Sequence, residues 1–179
     1  VMLALAIAPI THAANLLYMM TGERPSPVAE RIMDISLILH ADHGMNASTF
    51  SAMVINSSLA NAYATISGAI GSLKGSLHGG ANERVLYDIE EIGSVDNVEA
   101  WFQKARESKR KLMGFGHRVY KAYDPRARIL GPLAGKMSEN NPEIKRLYDI
   151  ARKLDGMVCA ELGVEKKIFP NVDFYSGIV

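Results

Sequence analysis

Cysteine is almost missing from this chain. Cys159 is the single one in 179 residues, which excludes an intramolecular disulfide and any zinc cluster built on thiolates, and fits a reducing compartment. Net charge is equally scarce. Twenty Lys and Arg oppose nineteen Asp and Glu, a balance of +1, so no bulk attraction to nucleic acid or an anionic membrane follows. No long apolar run is clean. The most apolar stretch, Ser51 to Leu73, is broken by Asn56, Ser57, Ser58 and Asn61, short of the ~18 uninterrupted apolar residues a membrane-spanning helix needs. Internal repeats and low-complexity segments are absent as well. What is plentiful is apolar material: 48% of residues are hydrophobic and 22% charged, enough for one sizeable core or pieces of two, and too much for a disordered chain.

Both ends look cut from a longer protein. The chain begins at Val1 inside an apolar run reaching Ile10. Thr11-His12-Ala13 resembles a signal cleavage site, but no Lys or Arg precedes Arg24, so the run reads as the interior of a truncated helix. At the other end, Phe169 to Val179 reads as an extended apolar stretch.

Helical periodicity dominates between them. Ala29 to Asp42 is apolar on nearly every side, which predicts a fully buried helix, with Pro27 at a position that a helix start tolerates. Ala47 to Leu73 is rich in Ala, Ser, Asn and Gly, whose small side chains let backbones approach closely, and predicts two tightly packed helices suited to a subunit interface. Gly75-Ser76-Leu77-His78-Gly79-Gly80 breaks the pattern and is the best domain boundary or hinge. Helices resume over Ala81 to Ile92, Asn97 to Leu112, Arg126 to Met137 behind the Asp124-Pro125 start signal, and Glu143 to Leu162, closed by Gly163. The last carries Ile144, Leu147, Ala151, Leu154 and Val158 at alternating spacings of three and four. The fold class is all-α.

Histidines mark the candidate chemistry. His43, His78 and His117 stand beside glycine at helix boundaries. His40 and His43 share a helix end, where a histidine cap accounts for either one; a metal would need a further ligand that the neighbourhood does not supply, so no metal site is assigned. Lys74-Gly75-Ser76 has the wrong order for a phosphate loop, leaving a hinge or a loop that presents His78, with Gly79 and Gly80 permitting close approach of backbone to a ligand. The densest block runs from Lys111 to Arg126. Its glycines, His117 and an arginine at a helix N-terminus suit a carboxylate or phosphate, against the alternative of an exposed basic loop. No aromatic stacking platform accompanies those cations, so nucleic acid is not expected.

These residues resemble the citrate synthase family, including its relative 2-methylcitrate synthase. Gly114-Phe115-Gly116-His117, Val119, Lys121 and Asp124-Pro125-Arg126 look like the family's signature, and His40-Ala41-Asp42-His43, Leu77-His78-Gly79-Gly80-Ala81-Asn82 and Asn171-Val172-Asp173 occur in the family's order. The resemblance covers essentially the whole chain, although the family is considerably longer. It implies a multi-helical fold. Residues 1–77 would be the C-terminal part of the large helical domain, with dimer-interface helices, and residues 78–179 most of the small domain, hinged near 75–80.

The resemblance also implies an acyltransferase, acting in the cytoplasm as a homodimer and holding no permanently bound cofactor, with acyl-CoA as substrate. Acetyl-CoA would condense with oxaloacetate through an enol, and thioester hydrolysis would release citrate and CoA. Propionyl-CoA is the alternative acyl donor, and a non-catalytic helical dimerisation module is the alternative of another class. By motif, Asp173 is the base, His78 stabilises the enol, His117 polarises the oxaloacetate carbonyl, and His43 and Arg126 bind oxaloacetate. Lys111, Leu112, Met113, Gly114 and Phe115 would lie along CoA, with Lys121 near its phosphates. Asn46 and Ser48 would orient histidines. The family's other carboxylate-binding arginines have no counterpart here, so the fragment alone is expected to be inactive.

Overall fold

Seven of the helices begin on the side chain that a helix start requires. The computed structural model describes residues 10–42, 44–117 and 119–179. Thr11, Ser26, Asn46, Asn61, Asp124, Asn141 and Asn171 each accept a backbone N–H in the first turn, from Ala14, Ala29, Thr49, Ala64, Arg126, Glu143 and Asp173 respectively. The apolar start of the chain and His43 lie outside the described residues. Among the described residues there are helices and turns but no strand, in keeping with the all-α class.

The chain divides into two units, one ending at Gly44 and taking in Val179, the other Met45–Ile178. In the first, α1 (His12–Thr21) packs on α2 (Pro27–Ala41), and the Thr11 hydroxyl donates to Glu30 at 2.6 Å. The expectation that this second helix is fully buried fails. Ile32 and Ser36 are buried, whereas Val28 and Ile38 are more than half exposed, because α1 is the element of this unit against which it packs.

The second unit opens with α3 (Ala47–Ser57) and α4 (Ala62–Leu73), the two closely packed helices expected from small side chains. Gly68 faces Ile55 so closely that a β-carbon there would overlap the isoleucine. The outer face of the pair is apolar and open, with Phe50, Met53, Val54, Tyr63, Ile66 and Ile70 all exposed. Next come α5 (Ala81–Ile92), a short 3₁₀ turn at Val95–Asn97, α6 (Val98–Glu107), α7 (Pro125–Ser138) and α8 (Pro142–Val158). Their core includes Val85, Ile89, Val98, Phe102, Leu130, Ile150 and Leu154.

Three expected boundaries move. The sixth helix stops at Glu107, not Leu112, because Lys109 turns the backbone left-handed at φ 55°. Gly163 does not close the long helix: the chain passes through a π-helical turn, Cys159–Gly163, into α9 (Val164–Lys166) and ends at left-handed Lys167. The supposedly extended tail contains α10 (Val172–Ser176), capped by Asn171 and packed on α5 and α7.

Candidate active site

Two glycines shape the loop that carries His117. Gly114 (φ 75°) and Gly116 (φ 79°) are left-handed, and a β-carbon on Gly114 would run into Val85 and Phe174. Between them Phe115 pairs with Pro170 in an isolated antiparallel bridge. Gly116 N donates to Phe169 O at 2.8 Å, Asn171 N to Gly114 O at 2.9 Å, and the Asn171 amide to Gly116 O at 2.8 Å. Asn171 also accepts from Asp173 N at 3.0 Å, so one side chain joins the His117 loop to the start of α10.

Backbone amides set the histidine tautomers. The N–H groups of Val119 and Tyr120 donate to His117 Nδ1 at 3.1 and 3.0 Å, which requires a lone pair there and puts the ring proton on Nε2. Tyr120 stacks on the same ring at 4.4 Å. His78 has the opposite arrangement. Ser48 N donates to its Nε2 at 3.2 Å, with the Ser48 hydroxyl at 2.7 Å, so the ring proton belongs on Nδ1. Each imidazole is thus held as a neutral ring offering one N–H. Ser48 does orient a histidine, as expected, whereas the Asn46 side chain caps α3.

Gly79 and Gly80 allow the tight 74–80 turn. A β-carbon on either would strike the Leu73 or Lys74 carbonyl.

Arg126 is buried at the start of α7, with 5% exposed, and lies against Tyr120. Its Nε and Nη2 donate to the two oxygens of Asp124 at 3.1 and 2.8 Å. Asp124, 1% exposed, also accepts from Arg126 N at 2.9 Å and Val172 N at 3.1 Å. Burial opposes the Asp124 charge, yet these donors outweigh it and hold the carboxyl below its ordinary value. Burial likewise opposes the Arg126 charge, but Asp124, helped by Tyr120 and Asp173, keeps the guanidinium more basic than usual. Arg126 Nη1 is buried without an acceptor among the described residues. The bidentate role of Asp124 was missed because a helix cap already accounted for it; its spacing of two from an arginine was the available signal.

Beside this cluster is a cleft of about 750 Å³, within the range of small-molecule sites. Its walls include Ala105, Leu112, Phe115, Leu162 and Ile168, and its rim carries Arg106, Lys109, Arg110, Lys111 and Lys166. Lys111, Leu112 and Phe115 therefore meet in one place. Met113 and Gly114 belong to the loop but not to the wall: Met113 N–H bonds to Asp88, and Gly114 is buried against α5 and α10. Lys121 is exposed and lies outside the lining. Arg110 pairs with Asp88 at 2.5 Å and Glu91 at 2.8 Å and covers Trp101.

The sequence profile for the citrate synthase C-terminal domain matches residues 5–179. Citrate synthases from Deinococcus radiodurans and a Synechocystis strain are 49% and 50% identical over 172 and 170 residues, covering 96% and 95% of this chain. The chain spans under half of those relatives, 45% and 42% of their lengths. A citrate synthase from the thermophilic archaeon Thermoplasma acidophilum, solved as a ternary complex with carboxymethyl coenzyme A and oxaloacetate, superposes with a TM-score of 0.87 at 41% identity, covering 94% of this chain and 44% of that one. The helical fold, the ordered motifs and the profile match agree: the chain belongs to the citrate synthase family, over its C-terminal domain.

Proposed function

We propose that this chain carries the condensing machinery of a citrate synthase, joining acetyl-CoA to oxaloacetate and hydrolysing the resulting thioester to citrate and CoA. The observation that carries the reading is the pair of imidazoles held neutral in opposite tautomers. A thioester α-proton is too weakly acidic for a lone carboxylate, so removing it needs a donor at the carbonyl oxygen as well as a base at the carbon. Asp173 takes the methyl proton while His78 Nδ1–H stabilises the enol oxygen. The enol carbon attacks the ketone of oxaloacetate, and His117 Nε2–H gives its proton to the new alkoxide. Water then cleaves the citryl thioester. Propionyl-CoA remains the alternative donor, since one methylene changes discrimination by only ~1–3 kcal/mol.

Substrate binding follows the same residues. A carboxylate oxygen of oxaloacetate supplies the acceptor that Arg126 Nη1 lacks, and His43 joins in holding that substrate. The apolar walls and cationic rim of the cleft suit the pantetheine and phosphates of CoA, with Lys111, Leu112 and Phe115 in contact and Met113 and Gly114 shaping the loop. Lys121, exposed beside this loop in sequence, meets the CoA phosphates from outside the cleft. CoA serves as substrate, and no resident cofactor is needed. We place the domain hinge at residues 75–80. The exposed apolar face of α3 and α4 supports a homodimer through that pair. No helix among the described residues is long and apolar enough to cross a membrane, and the lone reduced cysteine suits the cytoplasm.

The test uses a subunit of full family length that carries these residues. Asp173→Asn should leave oxaloacetate affinity nearly unchanged and lower kcat at least ~10²-fold, the usual minimum for a lost general base. If that variant keeps more than about a tenth of the wild-type kcat, Asp173 is not the base.

A further inference from the structure

One buried carboxylate has no part in the mechanism above. Asp155 lies on α8 with 4% exposed, and donors reach it from three segments. The hydroxyls of Tyr123 and Tyr175 each donate to Oδ2 at 2.6 Å, and Arg152 Nη1 approaches the same oxygen at 3.4 Å. The Cys159 thiol, one turn further on, donates to Oδ1 at 3.2 Å. Burial and the carboxylate itself push both phenols far above their ordinary pKa and the thiol up to about 12, so all three remain donors at any working pH.

The sequence positions of the two tyrosines give this hub its meaning. Tyr123 directly precedes Asp124, which grips Arg126 at Nε and Nη2 and accepts from Val172 N. Tyr175 is two residues past Asp173 on the short α10, fully buried and T-stacked on Phe174. A five-residue helix has little intrinsic stability, so its placement depends on such tertiary anchors. We propose that Asp155 is a positioning residue for the condensation: its carboxylate fixes, through Tyr123, the segment that binds oxaloacetate and, through Tyr175, the helix that presents the base. The proposal rests on the roles given above to Arg126 and Asp173.

Placing Asp155 between two separable arms gives a test that a merely structural role would not satisfy. In a subunit of full family length, Tyr175→Phe releases only the base-bearing arm and Tyr123→Phe only the oxaloacetate arm. Misplacement of a catalytic group by about 1 Å costs up to about 10²-fold, so Tyr175→Phe should lower kcat about tenfold while the oxaloacetate KM stays within about twofold. Tyr123→Phe should raise the oxaloacetate KM about tenfold with the smaller change in kcat. Asp155→Asn should show both defects and Asp155→Glu neither recovery nor rescue of geometry, since its longer stem displaces both hydroxyls. If Asp155→Asn does not fold, the two tyrosine variants decide alone.

The proposal is overturned if both phenylalanine variants stay within about twofold of wild type in kcat and KM, or if both show one and the same pattern. Asp173→Asn, measured alongside, separates this failure from that of the functional reading. An inactive Asp173→Asn with unaffected tyrosine variants removes the hub; an active Asp173→Asn removes the base assignment on which the hub was built.

Discussion

Asp124→Asn should cost this protein a large part of its stability, and the structure fixes both size and sign. The Asp124 and Arg126 side chains are 1% and 6% exposed, so their pair belongs to the buried class, in which deleting one partner costs about 3–5 kcal/mol because a desolvated charge is stranded. The asparagine oxygen can still accept from Arg126 N and Nε. Its NH₂ group, however, would face two donors, Arg126 Nη2 and Val172 N, that now meet Oδ2. Set against a total of roughly 5–15 kcal/mol for a domain, the loss is severe. Equilibrium urea unfolding of wild type and variant, followed by circular dichroism, measures it. Lys145–Asp149 is the internal reference: this surface i,i+4 pair is 60% and 41% exposed, and Asp149→Asn should cost about 0.3–0.5 kcal/mol. Because the stranded cation causes most of the damage, adding Arg126→Met to Asp124→Asn should recover stability, a non-additivity that a double-mutant cycle reads directly. Acidification should reproduce the effect. The Asp124 pKa is depressed by folding, so its contribution is fully present above the ordinary carboxylate value and fades as pH falls through the lower folded one. A loss below about 1 kcal/mol for Asp124→Asn, or additive single losses, refutes the reasoning.

The glycines and the cysteine give further tests. Gly114→Ala must adopt φ 75° and drive a methyl group into Val85 and Phe174, at about 1–3 kcal/mol for overpacking beyond the backbone strain, whereas Gly116→Ala, with open space around it, should lose only about 1 kcal/mol. Equal shifts in melting temperature for the two would contradict the contact. Cys159, its thiol held near a pKa of about 12, should react with a disulfide reagent at pH 8 at least about 10²-fold more slowly in the native protein than in urea, since only the thiolate attacks. Comparable rates would show that burial and Asp155 do not hold the proton on the sulfur.

How much of this was legible in the sequence depends on whether the information is local. Caps and apolar stripes are local, so α8 appears with Leu147, Ala151, Leu154 and Val158 buried as its spacing demands. The candidate residues His78, His117, Arg126 and Asp173 were named from motif order, and their burial and bonding could not be. The exit of α6 was hidden because Lys109 adopts a left-handed turn that favours glycine. The tail helix was hidden because five residues after a proline carry no helical period. The openness of α2 was hidden because an apolar helix demands partners, and composition cannot say whether its own unit supplies them. Asp155 gave no signal at all. A lone aspartate on an amphipathic helix looks solvated until the fold brings Tyr123 and Tyr175 to it from 32 and 20 residues away.

The lacing of the His117 loop to the start of α10 bears on the order in which the molecule folds. The Asn171 bond to Gly116 O joins residues 55 apart in sequence, whereas α3 with α4, and α7 with α8, are hairpins of chain neighbours. Closing a long loop costs entropy before any contact repays it, so the hairpins form early and the junction of Gly116 with Asn171 late. A state with nearly all of its helix can therefore lack the junction altogether. In pulse-labelling hydrogen exchange, the amides of Gly116 and Asn171 should become protected together and after those of α8, so far-ultraviolet ellipticity would report a folded chain before the His117 loop has been joined to the start of α10.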